Sequence, residues 1–106
     1  MFFNSMPSVS VSEAAEKVAG DNVAFVDVRT GEEYATGHAK GTVNIPLDSF
    51  TDANVSELKQ KGEVYVICQS GGRSAKAAKM LTGAGVNAIN VEGGTAAWQA
   101  AGLPME

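Results

Sequence analysis

The stretch Val64-Tyr65-Val66-Ile67-Cys68-Gln69-Ser70-Gly71-Gly72-Arg73-Ser74 decides how this chain is read. Its first four residues are all apolar and three are β-branched, with no polar alternation, which predicts a central strand covered on both faces. The segment from Arg73 to Leu81 holds three Ala, two Lys, Met80 and Leu81, all suited to a helix, until Gly83 and Gly85 end it. A buried strand, a glycine loop and a helix in succession form the unit in which parallel sheets place their ligand sites, at the carboxyl ends of the strands.

Working outward, Val23 to Val28 is a second apolar, β-rich run, Val43 to Ile45 a short strand stopped by Pro46, and Asn87 to Val91 a further strand. Between them, Ser10-Val11-Ser12-Glu13 has the spacing of a capping box and predicts a short helix running to Gly20. Thr30-Gly31-Glu32-Glu33 offers a second box, with Gly37 as the stop. A helix over Val55 to Lys61 is expected, and Gly93-Gly94 reads as a turn. Thr95 to Ala101 is then a last helix, anchored in the core by Trp98 and closed by Gly102 and Pro104. Strands alternating with helices at this spacing predict an α/β fold on a mostly parallel sheet. The 106 residues fit one domain, 1–106, with no repeat or linker.

Eight basic and twelve acidic residues give a net charge of -4 without runs of either sign, which argues against nucleic acid or membrane surfaces as partners. Any bound anion must be caught by a local site. One Cys excludes an internal disulfide, and one Cys with one His cannot fill a structural zinc shell, so no metal is expected. Met1 to Ser10 lacks a basic n-region and has only the Phe2-Phe3 apolar patch, and no apolar stretch approaches the ~20 residues of a membrane span. The expected location is cytoplasmic, where reducing conditions keep Cys68 a free thiol.

The chemistry should lie in Cys68 to Ser74. The amides and dipole of the following helix point back at the loop and favour a thiolate or bound anion. Gly71 and Gly72 allow φ > 0, so successive amides can curl into a nest, and Arg73 adds a permanent charge with a planar donor fork. Together these features would lower the thiol pKa and make Cys68 a nucleophile. A lone Cys ending a buried strand is usually an inert packing thiol, but packing alone requires neither the Gly-Gly pair nor the Arg. A nucleotide P-loop is excluded by the missing lysine.

In these residues the chain resembles the rhodanese-like domain, the sulfurtransferase fold in its single-domain form. Cys68 to Ser74 is similar to its Cys-x-x-Gly-x-Arg-Ser loop. Asp27-Val28-Arg29, Glu33-Tyr34, Gly37-His38, Gly41 and Asn44-Ile45-Pro46-Leu47 resemble the family's first signature, with Thr42 where Ala is frequent. Gly93-Gly94, Trp98 and Gly102-Leu103-Pro104 resemble its carboxyl-terminal signature. The resemblance implies a three-layer domain with a mostly parallel five-stranded sheet flanked by helices. It also implies persulfide chemistry, in which Cys68 takes a sulfane sulfur from thiosulfate or a similar small donor and passes it to cyanide, a thiol or a sulfur-accepting protein, without a cofactor.

On that reading Cys68 is catalytic. Gln69, Ser70, Gly71, Gly72 and Arg73 bind substrate, with Arg73 on the donor's sulfonate. Asp27, Arg29 and Glu33 form an ion-pair network that braces the site together with Ser74, while His38 is structural. Three alternatives stay open: a persulfide carrier loaded by a partner, a non-catalytic interaction module, and a phosphatase. The last is disfavoured because only four residues separate Cys68 from Arg73.

Overall fold

The computed structural model describes residues 7–106, so the Phe2-Phe3 patch lies outside the described residues. The elements run β1 (Ser8–Val9), α1 (Val11–Lys17), β2 (Val23–Asp27), α2 (Gly31–Ala35), β3 (Val43–Asn44), α3 (Asp52–Lys59), β4 (Glu63–Ile67), α4 (Gly72–Gly83), β5 (Ala88–Val91) and α5 (Gly94–Ala100). The five strands form one sheet in the order β1-β5-β4-β2-β3, and every strand pairing in it is parallel. The sheet is therefore more uniform than the mostly parallel one expected.

β4 stands at the centre, and its unbroken apolar run feeds two cores because successive side chains leave a strand on opposite faces. Val64, Val66 and Cys68 pack with Ala77, Ala78 and Leu81 of α4 and with Leu58 of α3. Tyr65 and Ile67 pack on the other face with Val11 and Ala14 of α1 and Trp98 of α5. Fully burying a side chain such as Leu81 or Ile67 contributes roughly 1.5–3 kcal/mol. Trp98 sits in the core as expected, its ring 5.4 Å from Phe25 and its Nε1 donating to the Pro104 carbonyl at 2.7 Å.

Local chemistry set most element ends. Thr30 and Glu33 form a reciprocal capping box at α2, whereas at α1 the Ser10 hydroxyl accepts from the Glu13 amide and the box is only half built. α3 starts earlier than its expected Val55, because Thr51 and Asn54 cap it reciprocally. β1 has no sequence counterpart: two residues make no pattern, and it is a strand because its register partners Asn90 and Val91 are there to pair with it. No helix among the described residues is long and apolar enough to cross a membrane.

Parallel pairing brings the carboxyl ends of the strands to one edge. Asp27 is in register with Ile67, so the segment entering α2 lies directly beside the loop that follows β4.

Candidate active site

The two-residue periodicity of β4 turns the Cys68 side chain to the α4 face, beneath the first turn of that helix. α4 has no side-chain cap; its N-cap, Gly71, is left-handed at φ 109°. In place of a cap, Cys68 Sγ accepts from the Gly71 amide at 3.1 Å and lies 3.3 Å from Ser74 Oγ. Cys68 is buried, and burial by itself pushes the thiol up. The Ser74 hydroxyl and the amides of Ser74, Gly71 and Ser70 outweigh it and hold the thiol below its ordinary value.

This differs in detail from the expected nest of two glycines. Gly71 alone adopts positive φ; Gly72 is the first residue of α4, and a Cβ there would meet nothing within 4 Å. Ser74, expected only to brace the site, touches the sulfur itself. Its hydroxyl also lies 3.2 Å from the Gly71 carbonyl and 2.5 Å from Asn90 Oδ1 on β5.

A second helix holds the loop from the opposite side. The Thr95 amide donates to the Cys68 carbonyl at 2.8 Å and the Ala96 amide to the Gln69 carbonyl at 3.1 Å, with the Thr95 hydroxyl also on the Cys68 carbonyl. Such proximity is possible because Gly94 has no side chain: a Cβ would lie 2.4 Å from the Cys68 oxygen. The Gly93-Gly94 pair thus lets the start of α5 come against the loop backbone, which its reading as a turn did not convey.

The expected network of Asp27, Arg29 and Glu33 divides into two pairs. Arg29 and Asp27, both buried, share three guanidinium-carboxylate hydrogen bonds of 2.9 to 3.1 Å, and Arg29 also donates to the Gly37 carbonyl and reaches Gln69 Oε1 at 3.5 Å. Glu33 offers Arg29 only its backbone carbonyl. The Glu33 carboxylate instead takes Arg73 bidentately at 2.7 and 2.8 Å, which, with help from the Thr30 cap, pulls Glu33 down to about 2. Arg73, expected to be free for a donor's sulfonate, therefore has its fork occupied. Its sequence position gave no sign of this, because Glu33 lies forty residues away and meets it only through the β2–β4 register.

His38 places its Nδ1 2.9 Å from the Tyr34 carbonyl, stacks its ring on Tyr34 and has its Nε2 3.9 Å from the Glu106 carboxylate. The described residues contain no group of three or more His, Cys, Asp or Glu placed to hold a metal.

The family model of the Rhodanese-like domain matches residues 10–101. Thiosulfate sulfurtransferase 16, chloroplastic, of Arabidopsis thaliana is 37% identical over 93% of this chain and 92% of its own length. YrkF of Bacillus subtilis, provisionally named a sulfur carrier protein, is 37% identical over 90% of this chain, which spans only 52% of that protein. The solved rhodanese-like domain protein of Staphylococcus aureus superposes with a TM-score of 0.77 at 39% identity, over 88% of this chain and 91% of its own. The chain belongs to the rhodanese-like domain family, and the relatives it matches include proteins named sulfurtransferase and sulfur carrier.

Proposed function

We propose that this protein is a sulfurtransferase that moves a sulfane sulfur from thiosulfate or a similar donor to cyanide or a thiol, through a persulfide on Cys68. The observation that carries this reading is the contact of Sγ with the Gly71 amide and the Ser74 hydroxyl at the uncapped start of α4. The Gly71 amide donates to the sulfur and the Ser74 hydroxyl is within reach to do so, which favours a thiolate, the form that attacks sulfur. The thiolate attacks the outer sulfur of thiosulfate; the S–S bond breaks and sulfite leaves with its electron pair. Cyanide or a thiolate then attacks the terminal persulfide sulfur, and Cys68 departs as thiolate. Gly71 and Ser74 stabilise the anion at both stages, so neither step needs a general acid.

A specific observation favours a second reading, in which a partner protein loads Cys68 and the domain acts as a persulfide carrier. The Glu33 carboxylate occupies the Arg73 fork, so the cation next to the loop is already neutralised before a sulfonate arrives.

The test is intact mass after exposure to thiosulfate and to a protein persulfide donor, with thiocyanate formation measured in parallel. Wild type should gain one sulfur atom and Cys68→Ser none. A sulfur adduct of equal yield on Cys68→Ser would overturn the persulfide mechanism. Loading only from the protein donor would select the carrier.

A further inference from the structure

Ser74 Oγ has one proton and three acceptors within reach: Cys68 Sγ at 3.3 Å, the Gly71 carbonyl at 3.2 Å and Asn90 Oδ1 at 2.5 Å. It cannot serve both the sulfur and Asn90 while the amide oxygen faces it. With Oδ1 toward Ser74, the hydroxyl donates to Asn90 and turns its lone pairs to the sulfur, an arrangement suited to a thiol whose S–H can donate back. A thiolate has no proton to give and needs the opposite arrangement. A half-turn of the Asn90 amide supplies it: Nδ2 then donates to Ser74 Oγ, and the hydroxyl proton is committed to Sγ.

We propose that Asn90 is a positioning residue whose amide turns over as Cys68 ionises, reversing the Ser74 hydroxyl so that it accepts from the thiol and donates to the thiolate. A carboxamide presents a donor and an acceptor of nearly equal size on one planar group, which neither a purely donating nor a purely accepting side chain can do. Ser74 is fully buried, so water does not stand in readily for its hydroxyl, and Asn90 keeps only a narrow edge toward solvent. The chain Asn90–Ser74–Cys68 links β5, α4 and the end of β4, and its hydrogen bonds polarise one another in the low dielectric beneath the loop.

The charged groups nearest the site are held in ion pairs. Arg73 on α4 is paired with Glu33 of α2, which ionises near 2, and Arg29 is paired with Asp27 at the end of β2. α5 and β1 contribute no charged side chain. The relay deepens the proposed sulfurtransferase reading, since it prepares the thiolate on which that reading rests. Its test uses no sulfur donor, so either idea can fail alone.

The experiment is the pH dependence of Cys68 alkylation in wild type and Asn90→Leu, with the Asn90 side-chain amide followed by NMR through the same range. Under the relay, Asn90→Leu raises the alkylation midpoint by on the order of half a pH unit, because the thiolate loses the polarised donor chain. A lowered midpoint would mean that Asn90 is a fixed acceptor competing for the Ser74 proton, and an unchanged one that it only packs; either overturns the proposal. Should Asn90→Leu fail to fold, the NMR arm decides with native Asn90 in place. The amide signals should titrate with the alkylation midpoint in wild type and lose most of that response in Ser74→Ala. Signals that do not move with ionisation, or that move equally in Ser74→Ala, would overturn the relay.

Discussion

Two helices of this molecule begin with a glycine pair, and both do so with a left-handed glycine as N-cap and no side-chain cap. Their free amides are put to different use. α4, after Gly71, turns its first turn to a side-chain sulfur; α5, after Gly93, turns its first turn to the backbone oxygens of Cys68 and Gln69. The loop is thus held between two helix N-termini, one shaping its chemistry and the other its position. A helix start favours electron-rich atoms in general. What it does depends on which atom the fold delivers there.

The largest effect should come from breaking the α5 side. Gly94→Ala would drive a Cβ to within 2.4 to 2.6 Å of the Cys68 and Gln69 backbone at φ 60°. The expected loss is on the order of 3 kcal/mol or more in urea unfolding, with loss of thiol reactivity as the loop is displaced. Unchanged stability would mean that α5 does not clamp the loop.

Gly71→Ala comes next, because φ 109° is costly for any residue with a Cβ. About 1–2 kcal/mol of stability should be lost, and the alkylation midpoint of Cys68 should rise toward the ~8.5 of a free thiol as the Gly71 amide turns away. A midpoint unchanged from wild type in that variant would relocate the source of the lowered value to Ser74.

Glu33→Gln sharpens the chemical half of the comparison by releasing the Arg73 fork while a side-chain oxygen remains for the Thr30 cap. The pair is about a third exposed, so stability should fall by less than about 1 kcal/mol. Thiosulfate loading should rise, since the guanidinium becomes free for a sulfonate; a fall would assign the ion pair itself to the working site. Because Glu33 is depressed to about 2, the pair's contribution is present above its ordinary 4.5 and is lost as pH falls toward 2. Acid unfolding of Glu33→Gln should therefore be shallower than that of wild type over this window.

Gly72→Ala should do least. The residue is already helical and its Cβ would face open space, so a gain of about 0.4–1 kcal/mol is expected with Cys68 reactivity unchanged. A drop in reactivity there would restore the idea that both glycines of the loop shape the sulfur site.

Sequence alone determined what is local or periodic. The apolar run at Val64 to Ile67 announces a central parallel strand, Thr30 and Glu33 announce α2, and the Cys68 to Ser74 spacing places a sulfur at a helix start. Each of these depends on neighbours within a few residues, and such interactions are written in order along the chain. The tertiary structure decided everything that joins distant segments. β1 exists only because β5 pairs with it; Glu33 takes Arg73 and not Arg29 because β2 and β4 align at Asp27 and Ile67. Gly94 matters because α5 meets a loop twenty-five residues earlier, and Asn90 reaches Ser74 because β5 lies under α4. These contacts carry no local pattern: they arise when packing a sheet between two layers of helices fixes which backbone and side-chain atoms meet at its carboxyl edge.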